Sequence, residues 1–174
     1  MDFNSKQARA ERIRWFQHDR FGMFIHWGLY AIPARGEWLR YYERVDDEHY
    51  EPYFREFNPV KYDPRQWARI AKAAGMKYMV FTAKHHEGFA MYHSRVDKFN
   101  IVDATPYGRD VMYDLANACA RHGVRLGLYY SQDLDWSDPD GGGYTRPHDN
   151  CGMSWTNDWD FPDNANKNYT LCYE

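Results

Sequence analysis

The sequence predicts an α/β fold, a partial (β/α)8 TIM-like barrel of about the first three βα units. Two apolar segments, residues 21–27 and 77–83, each end abruptly in histidines, and a third covers residues 125–130. Continuous apolar segments are typical of parallel strands that are covered on both faces. Helical patterns separate the three segments. The connections after strands are long and those after helices are short, which is typical of a barrel that carries its active site at one face.

The first unit begins with a loose helical pattern over residues 5–19, in which Ile13, Trp15 and Phe16 lie among charged residues. The first strand follows over residues 21–27. A long connection then covers residues 28–62, where prolines and a glycine separate short helical pieces. A connection of this length is typical of a functional loop.

The second unit has a helix with a clear start and stop. Asp63 is a good N-cap acceptor, Pro64 suits the first helical turn, and Gly75 suits the end. The second strand is predicted over residues 77–83. The spacing predicts that one face of the helix is buried, and its members are Trp67, Ile70, Ala71 and Ala74.

The third unit has an irregular loop over residues 84–108, a helix over residues 109–122 that ends at Gly123, and a strand over residues 125–130. The face of this helix that is predicted to be buried consists of Val111, Leu115, Ala118 and Cys119. Residues 131–174 show no convincing fourth strand. A complete barrel typically needs about 250 residues. We therefore expect residues 1–174 to be the N-terminal portion of a single catalytic barrel domain, incomplete at the C-terminus.

A doubly wound sheet is the alternative fold, but no glycine-rich phosphate-binding motif follows any predicted strand. Composition excludes several function classes. With 44% hydrophobic residues, 18% aromatic residues and a net charge of −3, the chain offers no polybasic surface for nucleic acid or an anionic membrane. Since no apolar segment is long enough to span a membrane and the N-terminus is too polar for a secretion signal, a cytoplasmic location is expected if Met1 is the true N-terminus.

Residues that could carry chemistry follow all three predicted strands. The members are His26 and Trp27 after the first, Lys84, His85, His86 and Glu87 after the second, and Tyr129, Tyr130, Asp133, Asp135 and Trp136 at the end of the third. Each hydroxyl of a buried sugar needs a hydrogen-bond partner, and its apolar ring face can stack on an aromatic ring. This mixture therefore favours a polyhydroxylated ligand. Glu37 and Trp38, in the first long connection, add a carboxylate and an aromatic ring near the same rim.

A metal-dependent barrel hydrolase is a less favoured alternative, because such enzymes also place histidines at strand ends. The common His-x-His pattern after the first strand is missing, since position 28 is glycine, and no His-Glu-x-x-His motif occurs. The three cysteines, Cys119, Cys151 and Cys172, show no C-x-x-C spacing. We therefore expect neither a metal nor another cofactor.

Several motifs resemble the α-L-fucosidases of glycoside hydrolase family 29, in order and spacing over about residues 21–136. They are Phe24-Ile-His-Trp-Gly28, Gly36-Glu-Trp38, Thr82-Ala-Lys-His-His-Glu-Gly-Phe89, Arg109-Asp110, Leu128-Tyr-Tyr-Ser131 and Asp135-Trp136. The resemblance implies a catalytic barrel that removes terminal α-L-fucose from oligosaccharides or glycoconjugates with retention, through a covalent intermediate on an aspartate. It also implies a fucose pocket, with the three histidines bonding to sugar hydroxyls. The implied pocket residues are His26, Glu37, Trp38, His85, His86 and Tyr130.

The chain departs from the family pattern in two places. Glu87 stands where the family more often has aspartate. The family nucleophile follows the fourth strand, so it is expected beyond Glu174. Glu37 is a candidate acid/base, and no other catalytic residue is assigned in the chain. Since a retaining mechanism needs two carboxyl groups about 5–5.5 Å apart, we expect the 174-residue chain to be inactive by itself, and a non-catalytic fucose-binding remnant is the alternative.

Overall fold

The computed structural model of the chain describes residues 5–132, 134–141 and 159–162. Helices and strands alternate as the sequence predicts, and the bounds of the first half are α1 (Lys6–Asp19), β1 (Gly22–Ile25), a 3₁₀ turn (Leu29–Ala31), α2 (Leu39–Tyr42) and α3 (Asp47–Glu56). The second half has α4 (Pro64–Ala73), β2 (Tyr78–Lys84), α5 (Val111–His122) and β3 (Arg125–Tyr130). Within the described ranges the strands form one parallel sheet in the order β1-β2-β3. The predicted α/β class is confirmed.

The sheet register brings the three strand ends to one edge. Phe24 lies opposite Val80, which in turn lies opposite Gly127. The register shifts between Thr82 and Lys84, where β2 holds one residue more than β3. An extra residue of this kind reorients the side chains that follow it. The side chains beyond the shift therefore do not continue the simple alternation of the strand.

The caps predicted at Asp63 and Gly123 are present, and the structure adds one at Asp110 that the sequence analysis did not predict. The carboxylate of Asp63 accepts hydrogen bonds of 3.0 Å from the backbone amides of Arg65 and Gln66 at the start of α4. Asp110 accepts a bond of 2.8 Å from the amide of Met112 at the start of α5. Gly123 ends α5 at φ 65°, a left-handed conformation that costs glycine little.

Helices α4 and α5 pack against each other and against one face of the sheet, where Met79 and Phe81 are fully buried. The predicted face of α5 is confirmed, because all four of its residues are buried: Val111, Leu115, Ala118 and Cys119. The predicted face of α4 is partly wrong. Ile70 is 52% exposed, Ala74 lies beyond the helix, and Ala68 and Ala71 are the buried residues. The real stripe follows the i, i+3, i+4, i+7 spacing from Pro64, and Ile70 lies outside it.

Helix α1 covers the amino ends of the strands on the opposite face. The rings of Trp15 and Phe16 lie 6.1 and 5.4 Å from that of Tyr78, and the guanidinium carbon of Arg125 lies 4.5 Å from the centre of the Trp15 ring. The carboxyl ends of the strands lie near α2 and α3. In the described part of the chain, no helix has the length and apolar character needed to cross a membrane. Asp133, Cys151 and Cys172 lie outside the described residues.

Candidate functional site

Three predicted histidines meet at the carboxyl edge of the sheet. The ring centres of His26 and His85 are 5.5 Å apart, and those of His85 and His86 are 4.1 Å apart. Ile25 pairs with Phe81 in the parallel register, so the carboxyl ends of β1 and β2 lie at the same edge of the sheet. His85 and His86 are 3% and 7% exposed, whereas His26 is open to solvent.

A tight turn and a set of side-chain hydrogen bonds fix the backbone around the histidines. Gly88 adopts φ +85° and its amide donates a hydrogen bond of 3.1 Å to the carbonyl of His85, which closes a tight turn directly after β2. The Thr82 hydroxyl donates to the carbonyl of Trp27 at 3.0 Å and accepts from the Trp27 amide, also at 3.0 Å. The hydroxyl of Tyr30 lies 3.1 Å from Thr82 Oγ1. The end of β1 is therefore fixed to the end of β2.

Aromatic rings surround the histidines. The Trp38 ring centre lies 4.8 Å from that of His86 and 5.6 Å from that of Trp136. The ring of Tyr129 stacks on His85 at 5.7 Å, and Phe24 stacks on His26 at 4.6 Å. Flat apolar faces therefore stand beside polar ring nitrogens, as a site for a sugar requires.

Burial keeps two of the histidines neutral. It lowers the pKa of His85 to about 3, and the neighbouring His86 and His26 act in the same direction. Burial also lowers the pKa of His86 to about 4, although the nearby Glu37 carboxylate opposes this. A neutral imidazole offers one hydrogen-bond donor and one acceptor. Each of these rings can therefore both give and receive a hydrogen bond at neutral pH.

Three carboxyl groups act on the site. Glu37 is partly buried, and its charge contributes to raising the pKa of Tyr129, after the larger effect of burial. Asp135 forms an ion pair with Lys84. Glu87 is fully buried behind His85, with 3.8 Å between its Oε2 and Nδ1 of the ring.

The structure brings most of the predicted site residues together but separates one. The carboxyl edge holds the three histidines and Trp38. Glu37 lies near them, because its charge acts on the pKa of His86. Tyr130 is 52% exposed, and its ring faces the Lys84 ammonium at 5.1 Å. Tyr129 is the tyrosine whose ring contacts the histidines. A binding role for Tyr130 stays a prediction.

Sequence reasoning did not include Tyr129 in the pocket, because alternation along β3 alone does not show which of its two faces meets the histidines. Tyr129 pairs with Thr82 before the register shift and lies on the face of Val80 and Phe24. The backbone amide of the buried Trp136 donates a bond of 2.7 Å to the carbonyl of His86, so this residue also belongs to the site. Only the paired register shows which of two adjacent tyrosines faces the histidines.

Among the described residues, no group of three or more His, Cys, Asp or Glu side chains is placed to hold a metal ion. A groove of about 890 Å³ lies elsewhere, between α4 and α5, and is lined by charges of both signs that include the Arg109–Asp114 pair. The convergence of neutral histidines and aromatic rings distinguishes the carboxyl edge of the sheet from this groove.

Comparison with known proteins gives a consistent result. The family model described as Alpha-L-fucosidase matches residues 2–170. The chain is 38% identical to tissue alpha-L-fucosidase of Rattus norvegicus over 143 residues, which are 72% of this chain and 30% of that protein. The solved alpha-L-fucosidase AlfC from Lactobacillus casei aligns with a TM-score of 0.84 at 45% identity, over 94% of this chain and 53% of that one. Isoenzyme 1 from Paenibacillus thiaminolyticus aligns with a TM-score of 0.74 at 55% identity, over 79% and 32% of the two chains.

The L. casei enzyme has also been solved with its α-L-fucose product. A variant of it with one aspartate replaced by alanine has been solved with 4-nitrophenyl α-L-fucopyranoside and with Fucα(1,6)GlcNAc. The chain spans about a third of the length of the curated relatives it matches and about half that of the L. casei enzyme.

Proposed function

Since the chain belongs to the alpha-L-fucosidase family, we propose that the complete protein hydrolyses terminal α-L-fucosyl residues of oligosaccharides or glycoconjugates. The observation that carries the proposal is the meeting of His26, His85 and His86 beside the Trp38 ring at one sheet edge. The neutral rings of His85 and His86 suit sugar hydroxyls, which both donate and accept. The aromatic faces suit the apolar side of the sugar ring.

The three described strands are proposed to be consecutive units of a (β/α)8 barrel, with residues 1–174 forming the N-terminal portion of one catalytic domain. Their parallel order and the grouping of site residues at their carboxyl ends support this assignment. The α-L-fucoside ligands solved with the L. casei enzyme support a fucosylated substrate class.

The proposed reaction proceeds with retention and requires a nucleophile and an acid/base. Glu37 is the candidate acid/base, because its charge acts on His86 and Tyr129 at the site. Among the described residues, the other carboxyls near the histidines are committed elsewhere: Asp135 pairs with Lys84, and Glu87 is buried behind His85. We therefore propose that the nucleophile lies outside the described residues.

The test is hydrolysis of 4-nitrophenyl α-L-fucopyranoside by the complete protein, with the first-formed anomer of fucose identified by proton NMR. We expect turnover with retention, and a loss of about 10- to 100-fold in kcat/KM in His86→Ala, because a buried sugar hydroxyl loses its partner. His18→Ala, on the exposed surface of α1, is the matched control and should retain full activity. Absence of turnover on every α-L-fucoside by folded protein would contradict the proposal.

A fucose-binding protein without turnover is the second candidate function. The described residues favour it because they contain the proposed sugar-binding groups. Among them Glu37 is the single candidate catalytic carboxyl, whereas retaining hydrolysis needs two. Titration calorimetry with L-fucose separates the two, since binding without hydrolysis by the complete protein supports the second function.

A further inference from the structure

Four buried polar atoms in the described part of the chain have no hydrogen-bond partner there: Nη1 of Arg40, the hydroxyl of Tyr50, Nδ1 of His85 and Oε2 of Glu87. They belong to one cluster, called here the Glu87 cluster. The guanidinium carbon of Arg40 lies 5.2 Å from the centre of the Tyr50 ring, and Nδ1 of His85 lies 3.8 Å from Oε2 of Glu87. Buried polar groups in folded proteins are nearly always paired. A cluster of four exceptions directly behind a binding site indicates a functional arrangement.

Glu87 is the centre of this cluster. Its side chain is fully buried, and burial raises the pKa of the carboxyl group to about 8, so it is a neutral acid at neutral pH. The charges of Arg40 and Lys84 lower this pKa and that of Asp135 raises it, while the hydroxyls of Tyr30 and Tyr50 respond to the Glu87 charge. A neutral carboxyl group has one hydrogen to donate.

We propose that Glu87 is a positioning residue of the sugar site, whose carboxyl group hydrogen-bonds to Nδ1 of His85 and leaves Nε2 of that ring to meet the ligand. The inference rests on the proposed function. The two atoms are less than about 1 Å beyond hydrogen-bond distance, so a small change in the side-chain torsion angles brings them into contact without a ligand. Neither atom has another partner among the described residues, and burial removes competition from bulk water.

In His86 the ring hydrogen lies on Nδ1, whereas the proposal places that of His85 on Nε2. The Ser131 hydroxyl donates its one hydrogen to the carbonyl of Leu134 at 2.6 Å. In its contact of 2.7 Å with Nδ1 of His86, Ser131 must therefore accept, and Nδ1 carries the hydrogen. Since His86 is neutral, its Nε2 is an acceptor.

The two adjacent rings then differ in what they offer a sugar. Neutral Glu87 donates to Nδ1 of His85, which places the hydrogen of that ring on Nε2 and makes it a donor. His86 supplies the acceptor. A pair of sugar hydroxyls can accept from one ring and donate to the other. When Glu87 loses its proton it can only accept, so His85 must move its hydrogen to Nδ1, and both rings become acceptors.

The first test is the tautomer of His85 in the complete protein, measured by ¹⁵N NMR of labelled histidines and assigned with His85→Gln. We expect the Nε2–H form at pH 6.5 and a change to Nδ1–H as the pH rises through about 8. Observation of the Nδ1–H form at pH 6.5 would overturn the proposal. This readout needs no substrate, so it remains decisive if the protein proves unable to cleave α-L-fucosides and the proposed function fails.

The second test is kinetic. In the wild-type protein KM should rise as the pH passes about 8, because His85 then no longer donates from Nε2. In Glu87→Gln the side-chain amide donates to His85 without titrating, so kcat/KM at pH 6.5 should stay within about threefold and this rise in KM should be absent. In Glu87→Leu, KM should rise about tenfold with a smaller change in kcat, because His85 loses its partner. Glu51→Gln, on α3, is the matched control and should keep the wild-type pH profile. An unchanged alkaline rise in KM in Glu87→Gln, or an unchanged KM in Glu87→Leu, would refute the positioning role.

Discussion

Replacement of Gly88 by alanine tests how the turn after β2 supports the site. Gly88 has φ +85°, a conformation that costs an L-residue about 1–2 kcal/mol. A Cβ atom there would also overlap Oγ of Ser137 and Oδ1 of Asp135, and would lie 2.8 Å from Cβ of Ser137. Overpacking of this kind costs about 1–3 kcal/mol. The two terms together predict a loss of about 2–5 kcal/mol in the free energy of unfolding of the complete protein.

Gly75 provides the matched control, because it has φ +79° but open space around its hypothetical Cβ. Gly75→Ala should cost only the backbone term, about 1–2 kcal/mol. Urea unfolding of both variants measures the difference. Gly88→Ala should also raise KM for an aryl α-L-fucoside, since Trp136, bonded to the His86 carbonyl, follows Asp135 directly in the chain. Equal stability losses and an unchanged KM in the two variants would refute this account of the turn.

Three further predictions concern single side chains. His86→Gln should remove part of the acid sensitivity of the fold. The pKa of folded His86 is lowered to about 4, whereas the unfolded value is near 6.5, so its contribution to stability is present above pH 6.5 and is lost as the pH falls. The loss reaches about 3 kcal/mol by pH 4. Urea unfolding of the wild-type protein and the variant, above pH 6.5 and at pH 4, measures it. Trp38→Ala should raise KM about tenfold through loss of a stacking face, while Trp15→Ala, on α1, should leave KM unchanged. Arg40→Met should cost about 1.5–3 kcal/mol by unfolding titration, because the Asp160 carboxylate, which is 10% exposed, loses its bond from the buried guanidinium. Arg35→Met breaks a pair that is exposed on both sides and should leave the free energy of unfolding almost unchanged.

The elements of the fold were largely predictable because their signals are local. An N-cap acceptor followed by proline indicated the start of α4, and the apolar spacing of α5 indicated its buried face. The strands were predicted to within a few residues at each end, and β3 at both of its ends. Local spacing was insufficient to predict that Ile70 is exposed, because its exposure depends on the rotation of α4 against the sheet.

Most members of the site were predictable for a similar reason, since histidines that directly follow neighbouring parallel strands must lie at one edge. The contact of Tyr129 with the histidines was not predictable, because it depends on how the strands pair around a register shift between Thr82 and Lys84.

By itself the sequence determined the α/β class, the order of the elements and the family resemblance, which the comparisons confirm. These features depend on the spacing and order of residues along the chain. Tertiary structure alone decided that Glu87, a residue that appears in the sequence as a conservative change from aspartate, is a buried neutral acid behind His85. The burial, pKa and hydrogen-bond partners of Glu87 depend on residues that are distant in sequence, here Arg40 and Tyr50 from the first long connection. The order of residues along the chain does not determine the distances between them.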